Sequence, residues 1–253
     1  MASMADDDEH SPPERPAAAF ATTRWTIVAE AARSHSPEAE NAMEALAIGY
    51  WYPLYAFLRR RGMRPQDAED LTQEFFSRRI LTKQIFKGTD PARGKFRSWL
   101  LTSLQNFLHN EREKDNAQKR GGGATHLSLD FHDGEQRYLA EPSHDLTPEK
   151  IYDRAWALTQ LQDAHRALGD RYESGGRGEL FHELKRFLPG ADDAPPHAEV
   201  AARIGKSESA IKMAVSRMRK EFGATLREIV GRTVSDPGQL DEEMRDLLRA
   251  LGG

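Results

Sequence analysis

Along most of the chain, apolar residues return every three or four positions, the spacing of a helix with one buried stripe, and strict alternation is confined to Leu127-Ser128-Leu129. The pattern predicts an all-α protein. A first helical block runs from about Thr23 to Glu113. Within it Ala45, Ile48, Tyr52, Tyr55 and Leu58 mark one inward face, which ends in the basic cluster Arg59-Arg60-Arg61-Gly62. Pro65 opens the next helix, as proline does in a first turn, with Asp67, Glu69 and Asp70 near its positive end. Ala68, Leu71 and Phe75 fall on one side of it. Asp67, Asp70, Gln73, Glu74 and Ser77 fall on the other. A third helix is predicted from about Phe96 to Lys114.

Residues 115–148 change character. Four glycines, two prolines and scattered acids read as a flexible linker. Helices resume from about Pro148 to Gly169 and from Glu179 to Leu188, and a last pair follows the DDAPP segment. The organisation expected is a tail over 1–22, a helical domain over 23–114, a linker over 115–148, a second helical domain over 149–232 and a helical extension over 233–253. No repeat of 20–50 residues is visible.

Composition changes the picture in two places. The chain has 253 residues and no cysteine, so disulfides and thiolate metal sites are excluded. No run approaches the ~20 apolar residues of a membrane span. The acidic, proline-containing start is unlike a secretory signal and reads as a disordered tail of a cytoplasmic protein. Net charge is −4, which argues against nucleic acid until its distribution is resolved. Residues 201–232 carry eight Lys/Arg against three Glu, and residues 93–120 seven Lys/Arg against three acids. The first fifteen residues carry five acids against one Arg. Two basic segments in an acidic chain suit either two contacts with a polyanion or two solvated helix faces.

The sharpest local pattern is His197–Phe222. Val200, Ala201 and Ile204 form a short apolar face, Gly205 suits a tight turn, and Ser207 can cap a second helix whose Ile211, Ala214, Val215 and Met218 point inward. That spacing fits a helix-turn-helix, with an ordinary helical hairpin as the alternative. Lys212, Ser216 and Arg217 fall on the outward side of the second helix, where base edges would lie. Arg219 and Lys220 suit phosphates. Gly205-Lys206-Ser207 imitates the end of a phosphate-binding loop, but Val200 stands where that loop needs glycine, and the preceding segment reads as helix. In Phe96–Arg112, aromatics and amides alternate with basic residues. Exposed aromatics there would stack on unpaired bases, while Trp99 and Leu100 are expected in the core.

Taken together, YWYPLYAFLRRR (Tyr50–Arg61), DAEDLTQEFF (Asp67–Phe76), FRSWLL with NFLHNE, a linker and a C-terminal helix-turn-helix resemble sigma-70 family RNA polymerase sigma factors of the extracytoplasmic-function type. The resemblance spans roughly Thr23 to Val230. It is nearest to a planctomycete-like group whose further segments are matched by Arg24–Val28, Gln118–Gly123, Leu127–Asp130 and Glu242–Leu251. It implies two helical domains that direct core RNA polymerase to promoters, without catalysis, cofactor or metal. By position, Asp67, Asp70, Gln73 and Glu74 would grip polymerase, accepting bonds from its arginines. Asn106, His109, Asn110 and Arg112 would read and hold the melted minus-10 strand. Lys212, Met213, Ser216 and Arg217 would face the minus-35 element. Two positions depart from the pattern. Lys206 stands where the turn is usually apolar, and Met213 can touch a thymine methyl but makes no bidentate base contact. Asp130, Asp133 and Glu135 are similar to acidic linkers that thread into the polymerase's RNA channel.

The partners implied are core polymerase, promoter DNA and an anti-sigma factor or other regulator. The competing class is an interaction protein that imitates a sigma factor to sequester an anti-sigma factor. Such a mimic needs no basic DNA faces, and Lys212, Arg217, Arg219 and Lys220 oppose that reading. An enzyme lacks support, because no nucleophile elbow, metal spacing or phosphate loop is present. The extension presents Leu240, Met244, Leu247, Leu248 and Leu251 at helical spacing, with Asp241, Glu242, Glu243, Arg245 and Asp246 between them. Two arrangements are open for it: permanent packing on the DNA-binding domain, or a releasable acidic helix that covers the Lys212–Lys220 face or presents a regulatory surface.

Overall fold

A computed structural model describes residues 37–81, 95–115, 129–140, 145–191, 193–234 and 236–252. The Arg24–Val28 and Gln118–Gly123 segments and Leu127-Ser128 lie outside them. The described residues are helical, and no strand forms among them.

Helix α1 (Pro37–Arg60) is the hub of the first unit, because its apolar residues nearly encircle it. Tyr50, Leu54, Tyr55, Phe57 and Leu58 are all at most 1% exposed. The expected single stripe fails at Ile48, which is 53% exposed, since Ala47, Tyr50 and Trp51 take the inward positions around it. Helix α2 (Pro65–Phe75) starts at the predicted proline and runs into a π-helical turn over Phe76–Leu81. Ala68, Thr72 and Phe75 are buried and Leu71 is half-buried. Ser77, expected on the outer side, is buried instead, with its hydroxyl donating to the Glu74 carbonyl at 3.3 Å. Helix α3 (Phe96–Asp115) packs on both: Phe96 meets Tyr50 edge-on at 5.2 Å, and Phe107 meets Phe75 at 5.7 Å.

Residues 131–140, read as part of a linker, form helix α4 (Phe131–Ala140). Phe131 docks edge-on against Trp51 at 5.1 Å. Glu135 accepts hydrogen bonds from Arg59 Nε and Nη2, both at 2.8 Å, and from the Tyr55 hydroxyl at 2.6 Å. The Arg59 bonds hold the Glu135 carboxyl below the usual carboxylate range, while burial pushes the Tyr55 hydroxyl up. Gly134 lies flat on the Trp51 ring, where a Cβ would come within 2.6 Å of it.

Helix α5 (Pro148–Ser174) is the longest among the described residues, 27 residues and so about 40 Å at ~1.5 Å per residue. Its Thr147 cap accepts from the Lys150 N–H at 3.3 Å. It packs most extensively on α1 and next on α8 (Glu208–Gly231), so one helix joins the first unit to the C-terminal helices. Helices α6 (Gly178–Leu184) and α7 (His197–Arg203) complete that end. Helix α9 (Leu240–Gly252) lies across α5 and α8, and its Leu247 is fully buried. Leu248, read into the same stripe, is 61% exposed, because Leu247 and Met244 already fill the contact.

Candidate nucleic-acid and polymerase interface

In the α7–α8 pair the expected turn, cap and inward apolar residues form. Val200 and Ala201 are buried and Ile204 is half-buried. The chain reverses through Gly205 at φ +66°, a backbone region glycine enters without strain, and nothing crowds its α-carbon. Ser207 Oγ then accepts the Ala210 N–H at 3.2 Å and caps α8. Ile211, Val215 and Met218 anchor α8 inward, with Ala214 half-buried.

This packing exposes one row on α8. Lys212, Met213, Ser216, Arg217, Arg219 and Lys220 are all solvent-accessible, Met213 at 64%. Two of the cations already have intramolecular bonds. Lys212 pairs with Glu208 one turn earlier at 2.6 Å, and this holds Glu208 below the usual carboxylate range. Arg219 Nε donates to the Phe187 carbonyl at 2.9 Å, which ties the helix to the turn beneath it.

On α3, Asn106, His109 and Asn110 are exposed and share a face at three- and four-residue spacing. The side chain of Arg112 lies outside the described residues. The phenylalanines of this helix do not join that face: Phe96 and Phe107 are at most 2% exposed, since they close the contacts with α1 and α2. Trp99 is half-buried against the core. The α3 face therefore offers amides and imidazole, with base stacking by its phenylalanines excluded.

On α2, Asp70 is exposed, while Asp67, Gln73 and Glu74 are half-exposed on the side away from Ala68, Thr72 and Phe75. Arg64 holds Asp67 through two bonds of 2.8 and 2.9 Å and lowers its carboxyl below the usual range. Arg78 pairs with Glu74 at 2.6 Å. The result is an acidic ledge in which Asp67 and Glu74 already accept guanidinium bonds, the chemistry that a basic partner surface would compete for.

Residues 52–117 match the family model for sigma-70 region 2. The stretch runs through α1, α2 and α3, so it contains both the acidic ledge and the amide face. It supports a sigma-70 family sigma factor, a class that engages RNA polymerase, recognises promoters and initiates transcription. Neither the curated proteins nor the solved structures yield a match to this chain. Among the described residues no His/Cys/Asp/Glu group is arranged to hold a metal ion, and no helix is long and apolar enough to cross a membrane.

The sequence reading missed one cluster. Lys95 and Arg97 entered it only as part of a basic segment. In the structure they lead α3 into a group of carboxylates from α5 and α9. The facing rows of charge, Lys95/Arg97 and Glu242/Glu243/Asp246, are visible in the sequence. Nothing in it brings together groups almost 150 residues apart.

Proposed function

We propose that this chain is a sigma factor of the extracytoplasmic-function type, which carries core RNA polymerase to specific promoters and helps open them. The observation that carries the reading is the region 2 match over residues 52–117, coinciding with helices that bury their apolar sides and leave separate acidic and amide faces outward. In this reading Asp67, Asp70, Gln73 and Glu74 dock on polymerase. Asn106, His109, Asn110 and Arg112 capture the opened minus-10 strand, offsetting an unstacking cost of a few kcal/mol. Lys212, Met213, Ser216 and Arg217 read the minus-35 duplex, with Arg219 and Lys220 on phosphates. Catalysis stays with polymerase. The domain limits that accompany this reading are 23–114 for the region 2-like unit and 149–232 for the helix-turn-helix unit.

The low net charge limits DNA binding by the free chain, because phosphate contacts dominate nonspecific affinity. The test is transcription in vitro with core polymerase on genomic fragments, beside a mobility shift with and without polymerase. The expected result is initiation from a discrete set of fragments only when the chain is added. Absence of initiation combined with tight capture of an anti-sigma factor would assign the chain to the mimic class.

A further inference from the structure

The carboxylates of α9 converge on the cations that lead α3. Arg97 is only 8% exposed at its side chain and Glu243 not at all. Arg97 Nε donates to Glu243 at 2.8 Å and its Nη2 to Asp246 at 2.9 Å, while a third nitrogen meets Asp153 of α5. Its guanidinium lies over the Trp156 ring at 4.6 Å, and the Tyr152 hydroxyl donates to its carbonyl at 2.9 Å. Lys95 reaches Glu242 at 3.1 Å, Glu243 at 3.2 Å and also Asp246. Two further ties hold the same helix: Arg154 donates to the Leu251 carbonyl at 3.0 Å, and Arg227 pairs with Asp241. Helix α9 therefore touches α3, α5 and α8 at once, while the Lys212–Lys220 row remains exposed.

The chemistry of this junction is that of a specifying contact. Burying charge costs desolvation that its pairing roughly returns, so a complete network adds little net stability but penalises any arrangement that leaves one partner alone. A permanent joint would be served as well by more leucine. One side of the network also borders an open cleft of about 610 Å³, lined by Arg97, Lys150, Asp153, Asp246 and Arg249 among others, so water and ions reach it without unfolding the core.

We propose that α9 is an internal latch: its carboxylates clasp Lys95 and Arg97 and reinforce the α1–α5 packing, so that the α3 and α8 faces stay in one closed body that must open before both can engage a promoter. This rests on the sigma-factor reading. Closed, both units pack on α5, a helix of about 40 Å at ~1.5 Å per residue. Elements about 25 base pairs apart, as the names minus-10 and minus-35 denote, are separated by about 85 Å at ~3.4 Å per pair. The latch leaves both faces accessible and fixes only their separation.

The absence of cysteine makes the test direct. Nitroxide labels at Thr102→Cys on α3 and Ala224→Cys on α8, both exposed positions, report the distance between the units in the full chain. The labelled parent should give one short, narrow distribution. Adding Glu242→Gln and Asp246→Asn, changes mild enough to retain helicity by circular dichroism, should raise a longer-distance population by roughly tenfold, the equivalent of ~1.4 kcal/mol. An unchanged distribution in that variant overturns the latch.

In a second arm, Lys95→Cys and Glu242→Cys are joined by a short bismaleimide containing a reducible disulfide. The joined chain should initiate at least tenfold less with core polymerase and recover on reduction. Full activity while joined also overturns the proposal. If the reduced chain and the wild type both fail to initiate, it is the sigma-factor reading that falls, and the distance measurement still decides whether the latch exists.

Discussion

At the scale of single residues, neighbours on one helix have separable tasks. Arg217 sits mid-way along the exposed row of α8, whereas Lys220 lies one turn further toward the flank. Arg217→Ala should cost ~1–3 kcal/mol on the preferred promoter and relax its sequence preference. Lys220→Ala should weaken all duplexes alike and lower the salt slope by about one. Titrations of polymerase-bound protein on cognate and scrambled minus-35 sequences, at several salt concentrations, separate the two. Equal loss of preference in both variants would contradict the sorting. The turn residues Gly205 and Ser207 were legible because their tasks are local: a positive φ and an oxygen for an open N–H. Ile48 and Ser77 were misread for the complementary reason. Which side of a helix faces in depends on neighbours, and α1 is surrounded while α2 continues into a π turn that rotates Ser77 inward.

Among the elements, α4 shows why a helix can hide inside a linker. Its sequence FHDGEQRYLA is short, polar and broken by glycine, so periodicity gives it no support. The helix is held from outside, by Phe131 on Trp51 and by Glu135 on Arg59 and Tyr55. Gly134→Ala reverses the usual expectation for glycine in a helix. Propensity alone favours alanine by ~1 kcal/mol. The added Cβ would stand 2.6 Å from the buried Trp51 ring, and such overpacking costs about 1–3 kcal/mol. A lower melting temperature for G134A than for the parent is expected, and a higher one would show that the ring yields freely. On α2, Asp70→Arg with Glu74→Arg should abolish co-purification with core polymerase while circular dichroism stays unchanged, because both side chains lie off the buried Ala68–Thr72–Phe75 side. Retention of polymerase at the parental level would remove the acidic ledge from the interface.

For the whole molecule, the order of the described helices was readable apart from α4, and the way the helices close on one another was not. Periodicity marks which residues of α5 are apolar. That they serve α1 along one part and α8 along another is settled only by three-dimensional packing. The extension was legible as an amphipathic helix, and its apolar side packs on α5 and α8. The idea that it covers the Lys212–Lys220 row fails, since that row is exposed and the acids turn to Lys95 and Arg97 instead. Deleting residues 236–253 should therefore lower the melting temperature, by burial lost at ~25 cal/mol per Å², without tightening binding to isolated minus-35 duplex. Tighter duplex binding after truncation would restore the covering arrangement.

The partners in the Arg97–Glu243 bond are 146 residues apart, and α9 is synthesised after everything it clasps. Closing a loop of that length from an open chain costs on the order of 4 kcal/mol, so the clasp belongs to the last events of folding rather than to its nucleus. On the ribosome, α1, α2 and α3 are complete while the acids that will bind Lys95 and Arg97 do not yet exist. Every molecule thus passes through an unclasped youth, and damage at Glu243 should shorten the lifetime of the finished protein far more than it slows its making.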